Sequence, residues 1–212
     1  MTDNRQMLAR LQAGASCLGQ ELDDDALEQM LAYVGLLEKW NRSYNLTSVR
    51  RPEQMLTRHI LDSLAILPFI QGRDILDVGS GAGLPGLVLA MACPERRFTL
   101  LDCNNKKVRF ITQACIELNI GNATGVQERL ESWHSETRFS TITARAVSSL
   151  KGLFETGRML LADEGVMLAM KGVLPSAELV ELGDMEREVE VRRLTVPGLD
   201  AERHVVIYRP GQ

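Results

Sequence analysis

The sequence predicts an α/β fold: a doubly wound, mostly parallel sheet of seven strands that follows an N-terminal helical extension. Three observations lead to this fold class. Apolar residues recur at helical spacing through the first ~70 residues, seven short apolar runs alternate with helical patterns from Asp74 onward, and a glycine-rich turn follows the first of these runs. We expect a helical cap over residues 1–70 and a sheet domain over residues 71–212.

Two helices of the extension can be placed. The first begins near the acids Asp23–Asp25, which suit a helix N-terminus. Its apolar stripe consists of Leu27, Met30, Leu31, Val34 and Leu37. After a loop at residues 41–48, Pro52 opens the second helix, because a proline at the first helical position sacrifices no hydrogen bond. Pro68 ends it.

The seven apolar runs are candidate strands. They are Ile75–Val78, Phe98–Leu101, Ala123–Val126, Thr141–Ala144, Val166–Met170, Val189–Leu194 and His204–Tyr208. Between them lie helical patterns, chiefly at Pro85–Ala92, Lys106–Leu118 and Leu150–Leu161, and this alternation indicates parallel strands joined by crossovers. The last two runs are separated only by Thr195–Arg203, which is too short for a crossover helix, so the last strand should be antiparallel.

Composition narrows the class of protein. The chain has 212 residues, 45% hydrophobic and 25% charged, as is usual for a globular protein. Neither a run of ~20 apolar residues nor the apolar core of a secretory signal is found, so we expect a cytoplasmic protein without membrane contact. We also expect a monomer. Because the cysteines form no C-x-x-C pair and the three histidines lack metal-ligand spacing, we expect free thiols and no metal.

The net charge of −4 is unevenly distributed. Nucleic-acid-binding proteins are usually basic overall, but here the cations concentrate in two segments, residues 36–59 and 96–109. Such clusters are compatible with a local surface for an anionic ligand. Solvated faces of amphipathic helices explain either cluster equally well.

The strongest local signal is the glycine turn at Leu76–Gly86. It is not a phosphate-binding P-loop, because no Lys-Ser/Thr pair follows Gly86. Its glycines match G-x-G-x-x-G, and Asp102 lies 21 residues after Gly81, as in dinucleotide-binding folds. Against a dinucleotide, Asp77 would repel a pyrophosphate but attract an ammonium group. We also expect no substrate domain after the seventh strand, whereas a dehydrogenase needs one. A cofactor with an amino-acid tail, a ribose and no phosphate fits better, namely S-adenosyl-L-methionine.

Four segments carry a specific resemblance: Leu36–Ser48, Arg58–Ser63, Asp77–Gly86 and Glu202–His204. They resemble the ribosomal RNA small subunit methyltransferase G family, also called glucose-inhibited division protein B. The resemblance runs in order from Leu27 to Tyr208. It implies a Rossmann-like methyltransferase sheet with a helical extension, and methylation of guanine N7 in 16S rRNA, within the small ribosomal subunit, by S-adenosylmethionine.

The acceptor atom decides which catalytic groups are needed. Guanine N7 presents a lone pair and needs no general base. Consistent with this acceptor, Cys93-Pro94 reverses the Pro-Cys order of pyrimidine C5 methyltransferases, and Thr143–Val147 lacks the Asn-Pro-Pro-aromatic motif of exocyclic-amine methyltransferases. A ribose 2′-O-methyltransferase with Lys171 as base, and a non-catalytic regulator that binds the cofactor or NAD, remain the alternatives.

Strand ends and the resemblance together give the candidate site residues. Because ligands lie outside the carboxyl ends of parallel strands, Asp102 should accept the ribose hydroxyls, and Arg145 is the expected catalytic residue. The expected cofactor contacts are Asp77, Gly79, Gly81, Leu84, Asp102, Leu130, Glu131 and Arg145. The expected RNA contacts are Arg42, Tyr44, Asn45, Arg58, His59, Lys106, Lys171, Arg203 and His204. For Arg58, an i,i+4 ion pair with Asp62 is the alternative role.

Overall fold

Three helices precede the sheet in the computed structural model, which describes residues 2–211 and side chains from residue 4 onward. Helix α1 is Thr2–Cys17 and helix α2 is Asp24–Tyr44. Helix α3, residues 52–64, combines an α-helical turn at Pro52–Met55, a π-helical stretch at Leu56–Leu61 and a last turn at Asp62–Leu64. As predicted, acids begin α2, where the Asp23 side chain accepts a hydrogen bond from the Ala26 N–H at 2.8 Å.

All seven predicted strands are present in a single sheet of order β3-β2-β1-β4-β5-β7-β6. The strands are β1 Asp74–Val78, β2 Arg97–Leu101, β3 Ala123–Val126, β4 Phe139–Arg145, β5 Leu161–Lys171, β6 Val189–Leu194 and β7 Arg203–Tyr208. The last strand, β7, pairs antiparallel with both β5 and β6. The predicted fold class is therefore confirmed. The carboxyl ends of β1, β2 and β4 lie side by side at one edge of the sheet.

The helices of the sheet domain differ from prediction in two places. They are α4 Gly86–Ala92, α5 Asn105–Glu117, α6 Leu150–Gly157 and α7 Ser176–Glu181, with a 3-10 helix at Gly183–Glu188. Another 3-10 helix, Leu67–Phe69, lies between α3 and β1. The predicted helix Leu150–Leu161 is wrong in its extent, because it ends at Gly157 and β5 already begins at Leu161. Leu161 pairs with Phe139 of β4, so strand pairing overrides the helical pattern there. Helix α7 was not among the predicted helices.

The cap and the sheet share one apolar core. A single cluster of buried side chains includes Leu11, Leu37 and Leu64 from the helices and Ile75 and Ile207 from the sheet. A second cluster lies on the opposite face of the sheet, beneath α6. Because the first cluster draws on both proposed domains, the helices and the sheet bury apolar surface together. The boundary at residue 70 stays a prediction.

Tyr33 of α2 connects the cap to the glycine turn. Its phenolic O–H is buried and donates a hydrogen bond of 2.7 Å to the Ala82 carbonyl. Burial raises the pKa of the phenol, so the O–H remains a donor at physiological pH. The ring also lies 6.2 Å from that of Phe110 on α5.

Among the described residues, no helix is both long and apolar enough to cross a membrane.

Tyr33→Phe should lower the free energy of unfolding by about 1–3 kcal/mol, because it leaves the buried Ala82 carbonyl without its donor. Urea denaturation measures this loss. Tyr44→Phe is the matched control: its side chain is exposed, so its cost should stay within about 0.5 kcal/mol. Equal stabilities of wild type and Tyr33→Phe would show that the hydrogen bond does not secure the cap.

Candidate functional site

The glycine turn has a backbone that only glycine adopts easily. Gly79, Gly81 and Gly83 have φ values of +65°, +59° and +84°, in the left-handed region. At Gly86, a Cβ would lie 2.7 Å from Asp77 Oδ2 and 2.9 Å from a methyl group of Leu100. The sequence pattern therefore corresponds to a turn that folds back tightly over the end of β1.

The Asp77 side chain stabilises this turn through hydrogen bonds. Its side chain is fully buried; Oδ2 accepts a hydrogen bond from the Gly86 N–H at 2.9 Å and Oδ1 accepts one from the Thr143 hydroxyl at 3.0 Å. Burial raises the pKa of Asp77 to about 6, although these hydrogen bonds oppose the shift. The carboxylate fixes the start of α4 against β4. A direct contact between Asp77 and a cofactor ammonium stays a prediction that this geometry does not support.

A cleft of about 570 Å³ opens beside the turn, at the carboxyl edge of the sheet. Five of the eight predicted cofactor residues line it, namely Gly79, Asp102, Leu130, Glu131 and Arg145. The other three do not line it: Asp77 and Leu84 are buried, and the Gly81 N–H binds Asp102. Sequence reasoning missed the wall formed by residues 146–149, Gly152 and Leu153. A local signal existed, because Ser149 lies just before an apolar run and caps α6 through the Gly152 N–H.

Asp102 joins the turn to the end of β2. Its Oδ2 accepts a hydrogen bond of 2.9 Å from the Gly81 N–H and lies 3.4 Å from the Lys107 ammonium, while Oδ1 accepts one of 2.8 Å from the Asn104 N–H. Helix α5 is capped by the side chain of Asn104. Since Oδ1 has a second lone pair and the Lys107 contact of Oδ2 is long, Asp102 can still accept a hydrogen bond from a ligand in the cleft.

Arg145 ends β4 and faces the cleft from the side opposite Asp102's strand. Its Nη1 donates to the Arg58 carbonyl at 3.4 Å and lies 3.5 Å from Asp62 Oδ2. The other carboxylate oxygen of Asp62 accepts a hydrogen bond of 2.8 Å from Arg203 Nε. The alternative role for Arg58, an ion pair with Asp62, is wrong, because Asp62 is engaged by arginines from two distant strands.

A family model described as "rRNA small subunit methyltransferase G" matches residues 26–206, most of the chain. The chain belongs to the rRNA small subunit methyltransferase G family. Proteins of that name from Marinomonas sp. (strain MWYL1) and Klebsiella pneumoniae (strain ATCC 700721 / MGH 78578) are 47% and 45% identical to it. The alignments cover 93% and 96% of this chain and 95% and 99% of those relatives.

Solved methyltransferase structures share the fold. Magnesium protoporphyrin IX methyltransferase from Synechocystis PCC 6803, with bound SAM, superposes with a TM-score of 0.60 at 16% identity. The superposition covers 89% of this chain and 98% of that one. N-methyltransferase NodS from Bradyrhizobium japonicum WM9, in complex with S-adenosyl-l-homocysteine, gives a TM-score of 0.55 at 14% identity, with 85% and 98% covered. At these identities the similarity establishes the fold alone.

The predicted RNA contacts of this family member divide by exposure. Arg42, Arg58 and Lys106 are exposed, and Arg42 pairs with Glu38 at 2.9 Å. Tyr44 stacks on Trp40 with ring centroids 5.0 Å apart. Asn45 ends α2 in the left-handed conformation, and its side chain accepts a hydrogen bond of 3.0 Å from Arg50. Contact of these five side chains with RNA stays a prediction.

The remaining four candidates are buried or bound to other residues of the protein. His59 is buried, with Nε2 2.9 Å from the Thr47 hydroxyl and Nδ1 2.9 Å from the Arg58 carbonyl. The Lys171 ammonium donates to the Glu178 carboxylate at 2.8 Å and to the Val147 carbonyl at 2.9 Å. His204 is buried, and Arg203 is bound to Asp62. These positions favour supporting roles; their contact with RNA is likewise a prediction.

His59 and Asp77 should give the stability of the protein opposite dependences on pH. Burial and the nearby Arg145 lower the pKa of His59 from 6.5 to about 4. Between these values the unfolded chain binds a proton and the folded chain does not, so falling pH favours unfolding by no more than about 3 kcal/mol. For Asp77, the folded chain binds its proton at about pH 6 and the unfolded chain near 3.8, so falling pH favours folding.

Urea unfolding of wild type, His59→Gln and Asp77→Asn between about pH 7 and about pH 4 separates the two contributions. As pH falls, wild type should lose stability relative to His59→Gln and gain stability relative to Asp77→Asn. Differences that stay constant across this range would contradict the assigned pKa shifts.

Proposed function

We propose that this chain transfers a methyl group from S-adenosylmethionine to N7 of a specific guanosine in 16S rRNA of the small ribosomal subunit. The observation that carries the proposal is the cleft in which Gly79, Asp102 and Arg145 meet, in a chain of the rRNA small subunit methyltransferase G family. A cytoplasmic location, a monomeric state and action on rRNA within the small subunit belong to the same proposal.

The cleft fits S-adenosylmethionine in two respects. A Cβ at Gly79 would meet no protein atom within 4 Å, so the backbone leaves space there for a ligand to approach closely. Asp102 is almost fully buried; its Oδ1 has a lone pair left for one ribose hydroxyl, and Oδ2 would accept the other in place of the long Lys107 contact. Leu130 and Glu131, on the cleft wall after β3, would hold the adenine end. When bound, the cofactor supplies an electrophilic methyl group on a positively charged sulfur.

The chemistry asks the protein for alignment more than for acid–base catalysis. No proton has to leave guanine N7, because this atom presents a lone pair to the methyl group that the bound cofactor would supply. The protein contributes by holding donor and acceptor in line and by excluding water. Arg145 is suited to orient the base, because arginine N–H groups match O6, the acceptor next to N7 on the same edge of guanine.

Recognition of RNA must rest on local cations, because the net charge is −4. Arg42, Arg58 and Lys106 are exposed and belong to the two cationic segments. Neutralising a side chain that binds a phosphate should reduce RNA binding broadly and lower the salt slope by about one unit.

The ribose 2′-O-methyltransferase alternative needs a base at Lys171. The Lys171 ammonium already donates to both carboxylate oxygens of Glu178 and to the Val147 carbonyl. Lys171 is also not among the residues that line the cleft. The geometry therefore supports Lys171 as a link between β5 and α7. A cofactor-binding regulator without activity is the other alternative, and a methyl-transfer assay separates all three.

Incubation of the purified protein with methyl-labelled S-adenosylmethionine and unmodified 30S subunits or free 16S rRNA tests the proposal. Nuclease digestion and mass spectrometry should find 7-methylguanosine at one position. The rate should be nearly flat from neutral to mildly alkaline pH, because the reaction consumes no base. Arg145→Ala should lose more single-turnover rate than RNA affinity, whereas the control Arg42→Ala should change affinity alone.

Four outcomes would contradict the proposal or a part of it. A methylated ribose with a rate that rises with pH and is lost in Lys171→Ala would favour the ribose alternative. Cofactor binding without transfer to either RNA substrate would favour the regulator, as would binding of NAD in place of S-adenosylmethionine. Full turnover by Arg145→Ala would remove that residue from the active site.

A further inference from the structure

Three distant segments of the chain meet at the carboxylate of Asp62. Asp62 belongs to the last turn of α3, and its side chain is only 4% exposed. Arg203, the first residue of β7, donates to Oδ1 at 2.8 Å, and Arg145, the last residue of β4, lies 3.5 Å from Oδ2. Loss of this carboxylate would leave partly buried arginines without their counter-charge, so Asp62 should matter more than a partner in a surface ion pair.

The backbone that carries Asp62 is unusual. It follows directly on the π-helical stretch of α3, and its N–H bonds to the carbonyls of His59 and Thr57. The next residue, Ser63, donates its hydroxyl to the His59 carbonyl at 2.6 Å. π-helical turns are rare and occur frequently at functional sites. The irregular turn is thus a second observation, independent of the ion pairs, that marks this position.

The two ion pairs of Asp62 differ in length, and the longer one involves Arg145, the arginine that lines the cleft. Arg203 makes the short contact, whereas Arg145 is held by two long contacts, to Asp62 and to the Arg58 carbonyl at 3.4 Å. A guanidinium has five N–H donors, and the Arg145 side chain is 24% exposed on the cleft wall. Asp62 therefore restrains Arg145 on one side while most of its donors stay available to a substrate.

We propose that Asp62 is a positioning residue for methyl transfer: locked in place by Arg203, its carboxylate holds the Arg145 guanidinium at the cleft wall. The proposal rests on the proposed function of that site. It assigns Arg203 to the support of Asp62 in place of a phosphate contact. Without the carboxylate, the two guanidinium groups would lose their shared counter-charge and repel each other, so Arg145 would leave its position.

The test uses full-length protein with saturating S-adenosylmethionine and the RNA substrate that wild type methylates. Asp62→Asn keeps the shape of the side chain and removes its charge. Its single-turnover rate should fall about 10- to 100-fold, the penalty for a displaced catalytic group. Its affinity for S-adenosylhomocysteine, measured by calorimetry, should fall by a smaller factor than its rate, because Asp102 and the turn are untouched and only the contact expected of Arg145 is displaced.

Two further variants separate positioning from scaffolding. In an Arg145→Ala background, Asp62→Asn should cause no further loss of rate, because the group that it positions is already absent. Arg203→Lys keeps the charge but not the planar fork, so it should give a smaller loss of rate than Asp62→Asn. The matched control is Asp74→Asn, which breaks an equally short ion pair, to Arg97 at 2.7 Å, at the opposite edge of the sheet; its rate should stay at the wild-type level.

A wild-type rate in Asp62→Asn would overturn the inference. So would losses that are additive with Arg145→Ala, or a parallel loss of S-adenosylhomocysteine binding and thermal stability, since both indicate a structural role alone. If Asp62→Asn does not fold, Arg203→Lys decides, and its full activity would overturn the proposal. An inactive wild type, in contrast, would reject the proposed function itself, and the positioning role with it.

Discussion

A buried carboxylate at the end of β1 holds the glycine turn in place, and the site is built on that turn. Asp77 has no exposed surface, so its charge is costly, and burial raises its pKa to about 6. The cost is offset by donors that the fold brings to it, the Gly86 N–H at the start of α4 and the Thr143 hydroxyl on β4. A buried polar group that is fully satisfied in this way favours one arrangement of the surrounding backbone.

The glycine turn also contacts the end of β2 and the cap. The Gly81 N–H binds Asp102 at the end of β2, and the Ala82 carbonyl accepts the hydrogen bond from Tyr33 of the cap. On the other side of the cleft, Arg145 is tied to the cap through Asp62. The helical extension is therefore part of the site's construction, because it contacts both the turn and the strand end that carry the chemistry.

Sequence patterns predicted the elements that depend on local chemistry. Apolar runs identified every strand, and the glycines identified a turn that needs left-handed backbone. The extent of α6 could not be predicted, because Leu161 is in β5 through its pairing with Phe139, a long-range interaction. For the same reason, spacing favoured a local Arg58–Asp62 pair over the partner that Asp62 has 141 residues away. The burial of Asp77 likewise depends on long-range packing, so it could not be predicted from the position of Asp77 in the glycine motif.

A structure of this protein with S-adenosylhomocysteine bound tests the central claim most directly, namely that the turn and Asp102 form the cofactor site. We predict that the ribose hydroxyls lie within hydrogen-bonding distance of the Asp102 carboxylate. We also predict that the homocysteine end lies beside Gly79 and that Asp77 remains buried against Gly86 and Thr143. A cofactor bound outside this cleft, or bound in it with its ribose away from Asp102, would show that the turn and Asp102 do not form the cofactor site.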